Sequence, residues 1–329
     1  MAHEAKFYKK EAGNKTKCLL CPHGCLILPG KRGICGARFN GDGVLYSTVY
    51  GEITSYGMDP IEKKPLYNFY PGSRIFSIGS WGCTFKCEFC QNWQISQQEA
   101  AAEHFEKEDV IKAAMENNSM GVAYTYNEPF AAYEFMFDTA VLARKSGLKN
   151  VVVTNGFVSQ EPLKEILPYV DAMNIDLKSF SDAFYRETCA GRLEPVLRAI
   201  RQAFDAGTHI ELTTLIIPGM NDGEDLLKIV DWIYEISPDI PLHLSRYFPQ
   251  YKMGLDPTGI ETMKRAYSKA REKLRYVYLG NVAAETGGSD TFCPACGKKI
   301  IKREIFNVDV SALKGGKCSH CGETIYGKF

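Results

Sequence analysis

Two hydrophobic periods alternate along the middle of the chain. Short β-rich runs recur at Arg74–Gly79, Met120–Tyr126, Asn150–Asn155, Ala172–Leu177, His209–Ile217, Pro241–Tyr247 and, more weakly, Tyr276–Leu279. Between them lie longer stretches whose apolar residues recur with helical spacing, near Glu108–Asn117, Pro129–Ser146, Pro162–Tyr169, Glu194–Ala206, Glu224–Glu235 and Gly259–Leu274. Strands that alternate with helices predict a parallel sheet built by right-handed crossovers. Six such units, not eight, predict an α/β protein with a partial (βα)6, TIM-like barrel over residues 74–282. In a barrel of this kind, chemistry sits on the loops that follow the C-terminal ends of the strands.

The flanks do not follow this pattern. Residues 1–73 read as a cysteine-bearing module followed by an irregular connector, with a β-like alternation at Val44–Tyr50. Residues 283–329 read as a second small module, with β-rich sequence at Ile300–Val310.

Cysteines mark all three regions. Eleven of the twelve fall in groups: Cys18, Cys21, Cys25 and Cys35; Cys83, Cys87 and Cys90; and Cys293, Cys296, Cys318 and Cys321. Cys189 stands apart and reads as a small buried apolar residue. The last group is two C-x2-C knuckles, each followed by glycine, at zinc-ribbon spacing. A module of that size needs a metal to fold, so structural zinc is expected there. The first group joins four cysteines to Pro22, Gly24, Gly30, Gly33 and Gly36, residues suited to tight turns that aim sulfurs inward. Zinc is the first reading and a second iron–sulfur cluster the competing one, because soft thiolates suit both. His23 could replace one sulfur or occupy an exposed turn.

The middle group differs. Three cysteines in a C-x3-C-x2-C spacing directly follow the first core strand. A closed zinc site wants four ligands, whereas a short loop carrying three thiolates fits a cubane cluster with one iron left open. With Phe89 just before the last cysteine, this loop resembles that of the radical S-adenosylmethionine (radical SAM) enzymes. The resemblance implies a [4Fe–4S] cluster on Cys83, Cys87 and Cys90, with Phe89 beside bound SAM.

Later strand ends extend the resemblance. Tyr126-Asn127-Glu128-Pro129 stands where the family carries a Gly-Gly-Glu-Pro segment that receives the SAM amino group. The two glycines are absent, which turns attention to the Tyr126 or Asn127 side chains. Thr154-Asn155-Gly156-Phe157 is very similar to a segment of glycyl-radical-enzyme activases and implies SAM contacts from Thr154 and Asn155. Val153 replaces the cation-binding aspartate of those enzymes. Asp176 and Lys178, two apart at a strand end, point to one side and make a clamp for a zwitterion. By resemblance, Lys178 meets the SAM carboxylate. Asn221 falls in a segment that resembles one flanking adenine and methionine, and His243 is placed by the pattern near the barrel mouth, in a SAM or substrate role.

Composition narrows the function. Lys+Arg and Asp+Glu are both 39, so the formal net charge is zero, which argues against a nucleic-acid surface. No apolar run reaches the length of a membrane helix, and the N-terminus lacks a signal-peptide core. The expected setting is the reducing cytoplasm, where clustered cysteines hold metals rather than disulfides. Within the superfamily the chain is most similar to the AmmeMemoRadiSam group, near the pyruvate formate-lyase activases. Its four N-terminal cysteines, Ser245–Met253 and C-terminal C-P-x-C-G carry that likeness. The expected function is reductive SAM cleavage, with a ferredoxin or flavodoxin as electron donor and a small molecule or partner-protein side chain as substrate. A glycyl-radical-enzyme activase is one alternative, although no extra ferredoxin-like cysteines follow the cluster loop. An RNA-modifying enzyme or a non-enzymatic zinc protein is the other.

Overall fold

The structure, a computed structural model, describes residues 3–304 and 307–329. Its centre is an eight-stranded sheet of β1 (Ser55–Pro60), β2 (Arg74–Gly79), β3 (Gly121–Tyr124), β4 (Lys149–Thr154), β5 (Ala172–Asp176), β6 (His209–Ile216), β7 (Leu242–Arg246) and β8 (Val277–Gly280). The strands lie in sequence order across the sheet. From β2 to β8 every neighbour is parallel. Both faces of such a sheet are covered, so its strands are apolar almost throughout: in β4, Asn150, Val151, Val152 and Thr154 are all buried. The two edges, β1 and β8, do not pair with each other. The barrel is therefore open.

All seven predicted strands form. The unexpected one is β1, which lies inside the stretch read as irregular connector. Its residues pair antiparallel with β2 from Ser55↔Gly79 to Pro60↔Arg74. Ser-Tyr-Gly-Met-Asp-Pro alternates over only two apolar residues, Tyr56 and Met58, and its terminal proline is tolerated only because the strand is an edge. It is made a strand by the free backbone groups of β2, not by its own propensity.

The crossovers are α1 (Lys107–Glu116), α2 (Tyr133–Lys145), α3 (Gln160–Ile166), α4 (Asp182–Cys189), α5 (Leu193–Asp205), α6 (Glu224–Ile236) and α7 (Ile260–Arg271). The α5 sequence illustrates why they form. Leu193, Val196, Ala199, Ile200 and Ala203 recur at three- and four-residue steps and are buried, leaving one stripe against the sheet. Gly207, at φ +78°, ends the helix in the left-handed conformation that glycine adopts most readily. The short α4 was not predicted; Ser181 caps it by accepting from the Phe184 amide. Cys189 at its end is fully buried.

Small sheets flank the barrel. At the N-terminus, Tyr8–Glu11, Lys15–Cys18 and Leu26–Ile27 form one, and His3–Glu4, Val44–Ser47 and Arg38–Gly41 another. A fully buried ion pair, Arg38 Nη1 to Glu134 Oε1 at 2.7 Å, ties them to α2. At the C-terminus, Thr291–Phe292, Lys299–Glu304 and Asn307–Asp309 form a three-stranded sheet. Within the expected β-rich run, Ile305 and Phe306 lie outside the described residues.

The C-terminal module fills the end of the barrel where the strands begin. Ile300, Ile301 and Ile325 pack with Tyr276 and Tyr278. The Arg303 guanidinium donates to the Tyr67 carbonyl at 2.6 Å, and the Tyr278 hydroxyl donates to Asn68 at 2.6 Å. Beside them Glu211 on β6 accepts the Tyr67 and Asn68 amides at 2.9 and 2.7 Å. The opposite end stays open.

Candidate functional site

At the open end a cleft of about 470 Å3 spans the ends of β2 to β7. Cys83, Cys87, Cys90, Phe89, Asn127, Glu128, Thr154, Asn155, Asp176 and Lys178 all line it. The sequence places these residues on four separate strand ends, and a parallel sheet brings those ends together because every strand runs the same way.

The cysteine loop leaves β2 and is held from several sides. Gly82, at φ +90°, packs so closely that a Cβ there would lie 2.6 Å from the Cys35 carbonyl oxygen. Asn127 bridges the loop's start: its Oδ1 accepts from the Ser80 amide and its Nδ2 donates to the Gly82 carbonyl, both at 3.0 Å. The Lys86 and Glu88 amides donate to the carbonyls of Cys189 and Thr188 at the end of α4. Asn155 Nδ2 donates to Thr84 Oγ1 at 3.0 Å and lies 3.6 Å from Cys83 Sγ.

Glu128 is buried beneath this loop. Its carboxylate accepts from the Thr154 hydroxyl at 2.7 Å, the Asn155 amide at 2.9 Å and the Phe130 amide at 3.1 Å. Burial pushes its pKa up to about 7, against the lowering effect of those donors. Asn127 and Glu128 therefore have their side chains committed to shaping the site. Asn127 lines the cleft as well.

Across the cleft Lys178 Nζ donates to Asp176 Oδ2 at 2.8 Å and sits 5.8 Å from the Phe89 ring centre. Burial alone would lower the Lys178 pKa, but Asp176 and the nearby Cys87 and Cys189 sulfurs hold it well above its ordinary value. A fixed cation and anion side by side, next to three thiols, suit a zwitterionic ligand.

Two further residues, Asp59 and Lys64, were not picked out from the sequence as site residues, and they join Tyr126, which was. Asp59 on β1, Lys64 and Tyr126 form a network on the cleft wall, with Lys64 Nζ and the Tyr126 hydroxyl donating to Asp59 Oδ2 at 2.7 and 2.6 Å. Burial would raise the Asp59 pKa, yet these bonds draw it down to about 2. Tyr126 adopts φ +71°, rare for a residue with a Cβ. The Lys63-Lys64 pair ahead of the loop was the available signal, and it reads equally as a solvated linker.

His243 is not in the cleft. It lies two residues before Ser245, which does reach the wall, and its Nε2 sits 2.7 Å from Glu211 Oε2 near the plugged end. His209 Nε2 contacts the other Glu211 oxygen at 3.0 Å. Burial would raise the Glu211 pKa, but the two histidines bring it to about 2. The pattern gave the correct strand face but the wrong depth. Asn221 also proves structural, donating to the Lys178 and Leu215 carbonyls and accepting from the Ile217 amide.

The terminal groups differ in geometry. Cys293 and Cys321 sulfurs lie 3.6 Å apart, and those of Cys296 and Cys318 lie 3.8 Å apart. Zinc–sulfur bonds of ~2.3 Å arranged tetrahedrally give an edge of about 3.8 Å, so the fit to zinc is close. Cys18, Cys21, Cys25 and Cys35 line one small enclosed cavity with His23 and Arg38. His23 keeps its Nε2 on the Thr84 carbonyl at 2.7 Å.

Comparison with known proteins agrees with the geometry. The sequence profile of the radical SAM superfamily matches residues 78–233. An uncharacterized protein of Methanocaldococcus jannaschii is 45% identical over 331 residues, covering 98% of each chain. The isethionate sulfite-lyase activating enzyme of Nitratidesulfovibrio vulgaris is 28% identical over 180 residues, 48% of this chain and 57% of that one. The pyruvate formate-lyase 1-activating enzyme of Escherichia coli is 25% identical over 162 residues, 47% of this chain and 65% of its own. Among solved structures, Streptococcus suis SuiB bound to S-adenosylmethionine superposes with a TM-score of 0.52 at 14% identity, covering 71% of this chain and 56% of that one. A radical SAM methyltransferase from Sphaerobacter thermophilus gives 0.51 at 14% identity over 64% and 67%. At these identities the structures establish a shared fold.

The chain thus belongs to the radical SAM superfamily of iron–sulfur, SAM-dependent enzymes. Within it, this enzyme is related to the pyruvate formate-lyase activating enzymes, matching them over about half its length.

Proposed function

We propose that this enzyme cleaves SAM reductively and uses the resulting radical to take hydrogen from a small molecule or a partner-protein side chain. The observation that carries this reading is the convergence of Cys83, Cys87 and Cys90 with Asp176 and Lys178 on one cleft. Among the described residues these three cysteines are the ones that line that wall, which suits a [4Fe–4S] cluster with one iron left for SAM. When bound, that pair supplies one-electron cleavage of a carbon–sulfur bond, giving methionine and a 5′-deoxyadenosyl radical.

The chain's own residues do the rest. Lys178 holds the SAM carboxylate, with Asp176 beside it to meet the amine. Phe89 walls the cleft under the Lys178 ammonium. Asn155 lies against the Cys83 sulfur and is held there by Glu128 and Thr84. Such contacts orient a ligating thiolate and adjust its electron density. Asn127 and Gly82 keep the loop from drifting, which matters because misplacement of about 1 Å costs reactivity steeply.

Residues 1–73, 74–282 and 283–329 act as metal module, catalytic barrel and zinc ribbon, with β1 lent by the first part to the sheet of the second. A one-electron donor protein, a ferredoxin or flavodoxin, supplies the electron. No helix among the described residues is long and apolar enough to cross a membrane.

Anaerobic protein given dithionite and SAM is expected to release 5′-deoxyadenosine, and Cys87→Ala to abolish that release. Equal yields would sink the assignment. Deuterium appearing in 5′-deoxyadenosine from labelled candidate substrates then identifies the hydrogen donor.

A further inference from the structure

The chain holds two four-cysteine groups, and they are built differently. In the ribbon all four sulfurs lie within 4.8 Å of one another. Among the described residues no other set of three or more cysteine, histidine or carboxylate ligand atoms meets that spacing. Cys18, Cys21, Cys25 and Cys35 line one small enclosed cavity instead, and their sulfurs do not meet the ribbon's spacing. Cys83, Cys87 and Cys90 are likewise spread beyond 4.8 Å. A cubane presents its irons at separate corners, so its thiolates approach from farther out than those around a single ion.

A second observation points into the same cavity. Arg38 lines it, is 1% exposed and lies close enough to Cys18 and Cys35 to interact with their charge. Glu134 takes its Nη1, but Nε and Nη2 have no hydrogen-bond partner. Two buried N–H groups without a protein partner call for an acceptor from outside the chain. Glu134 already balances the charge of Arg38, so the orphaned groups serve as directional N–H donors. Cluster sulfides and ligating thiolates accept such bonds, and four thiolates on a 2+ cubane leave net negative charge to be offset.

We propose that Cys18, Cys21, Cys25 and Cys35 bind a second [4Fe–4S] cluster, with Arg38 donating to its sulfur atoms. The site shares a wall with the first cluster loop: Thr84 lines the N-terminal cavity, and Gly82 abuts the Cys35 carbonyl. The proposal uses the three-cysteine reading only as a comparison of spacing.

The test is metal analysis and EPR on protein produced and isolated anaerobically. Wild type is expected to carry about 8 iron and one zinc per chain. The triple variant Cys83→Ala/Cys87→Ala/Cys90→Ala leaves the N-terminal site untouched. It should keep about 4 iron and, once reduced, an EPR signal that SAM does not alter. Two zinc and no iron in that variant, or one zinc and no iron, would overturn the proposal. Cys18→Ala/Cys25→Ala should lose the other half of the iron while its remaining signal still responds to SAM. Iron absent from this second variant but retained by the triple variant would refute the three-cysteine reading and leave this one standing. Adding Arg38→Met to the triple variant should move the retained cluster's potential to a more negative value; an unchanged potential would refute the role of Arg38.

Discussion

Replacing Glu128 with glutamine tests how the site is held. The carboxylate sits under the cluster loop with three donors on it and is buried. Its pKa lies near 7 in the folded protein, against 4.5 ordinarily, because burial disfavours the charge. A pKa raised by folding gives stability that is full below about pH 4.5 and is lost as pH rises through about 7. At ~1.4 kcal/mol per pH unit, the loss across that window is about 3 kcal/mol. Glutamine cannot ionise and so has no such loss. It does turn an N–H2 toward one of the three donors, at a pH-independent cost of about 1–3 kcal/mol. Glu128→Gln should therefore be the less stable protein at pH 5 and should draw level with or overtake wild type by pH 8. Urea denaturation at both values, under anaerobic conditions, measures the crossover. The infrared band of a protonated carboxyl should fade in wild type with a midpoint near 7 and be missing from the variant. Parallel stability profiles for the two proteins would refute the reasoning, because they would mean that Glu128 does not titrate in that range.

Three other outcomes are expected. Lys178→Met should weaken SAM binding roughly 10- to 100-fold, by loss of a charge-assisted hydrogen bond, as read by calorimetry on the cluster-loaded protein. Gly82→Ala combines strain at φ +90° with a Cβ 2.6 Å from the Cys35 carbonyl. It should cost about 1–3 kcal/mol and reduce iron bound at Cys83, Cys87 and Cys90, seen as a lower Tm and a smaller cluster absorbance. His243→Leu should leave SAM affinity within about twofold of wild type while lowering stability by about 1–3 kcal/mol, since Glu211 loses one partner in the plugged end; a large loss of affinity would restore His243 to the site.

Much of this architecture was legible because buried parallel strands need apolar runs, and such runs stand out between amphipathic helices. Strand ends could be lined up for the same reason, which is why Asn155, Asp176 and Lys178 were found together. What stayed hidden depends on contacts distant in sequence. Ser55–Pro60 becomes a strand only because Arg74–Gly79 offers it an edge. Asp59 enters the site through Tyr126, 67 residues away. His243 shows the limit of periodicity: alternation tells which way a side chain faces, not how far along the barrel it stands. The four N-terminal cysteines fit two metals by sequence spacing alone; the distances between their sulfurs and the unpaired Arg38 nitrogens exist only in three dimensions.

The plugged end of the barrel has a kinetic consequence. Arg303, Tyr278 and Asn68 join the C-terminal module to the strand starts and fill that passage, so no ligand reaches the cleft through the bottom of the barrel. Under the proposed SAM cleavage, a substrate that enters after SAM from the open end covers it, and methionine and 5′-deoxyadenosine leave after that substrate. Binding should be ordered, with product inhibition competitive toward SAM.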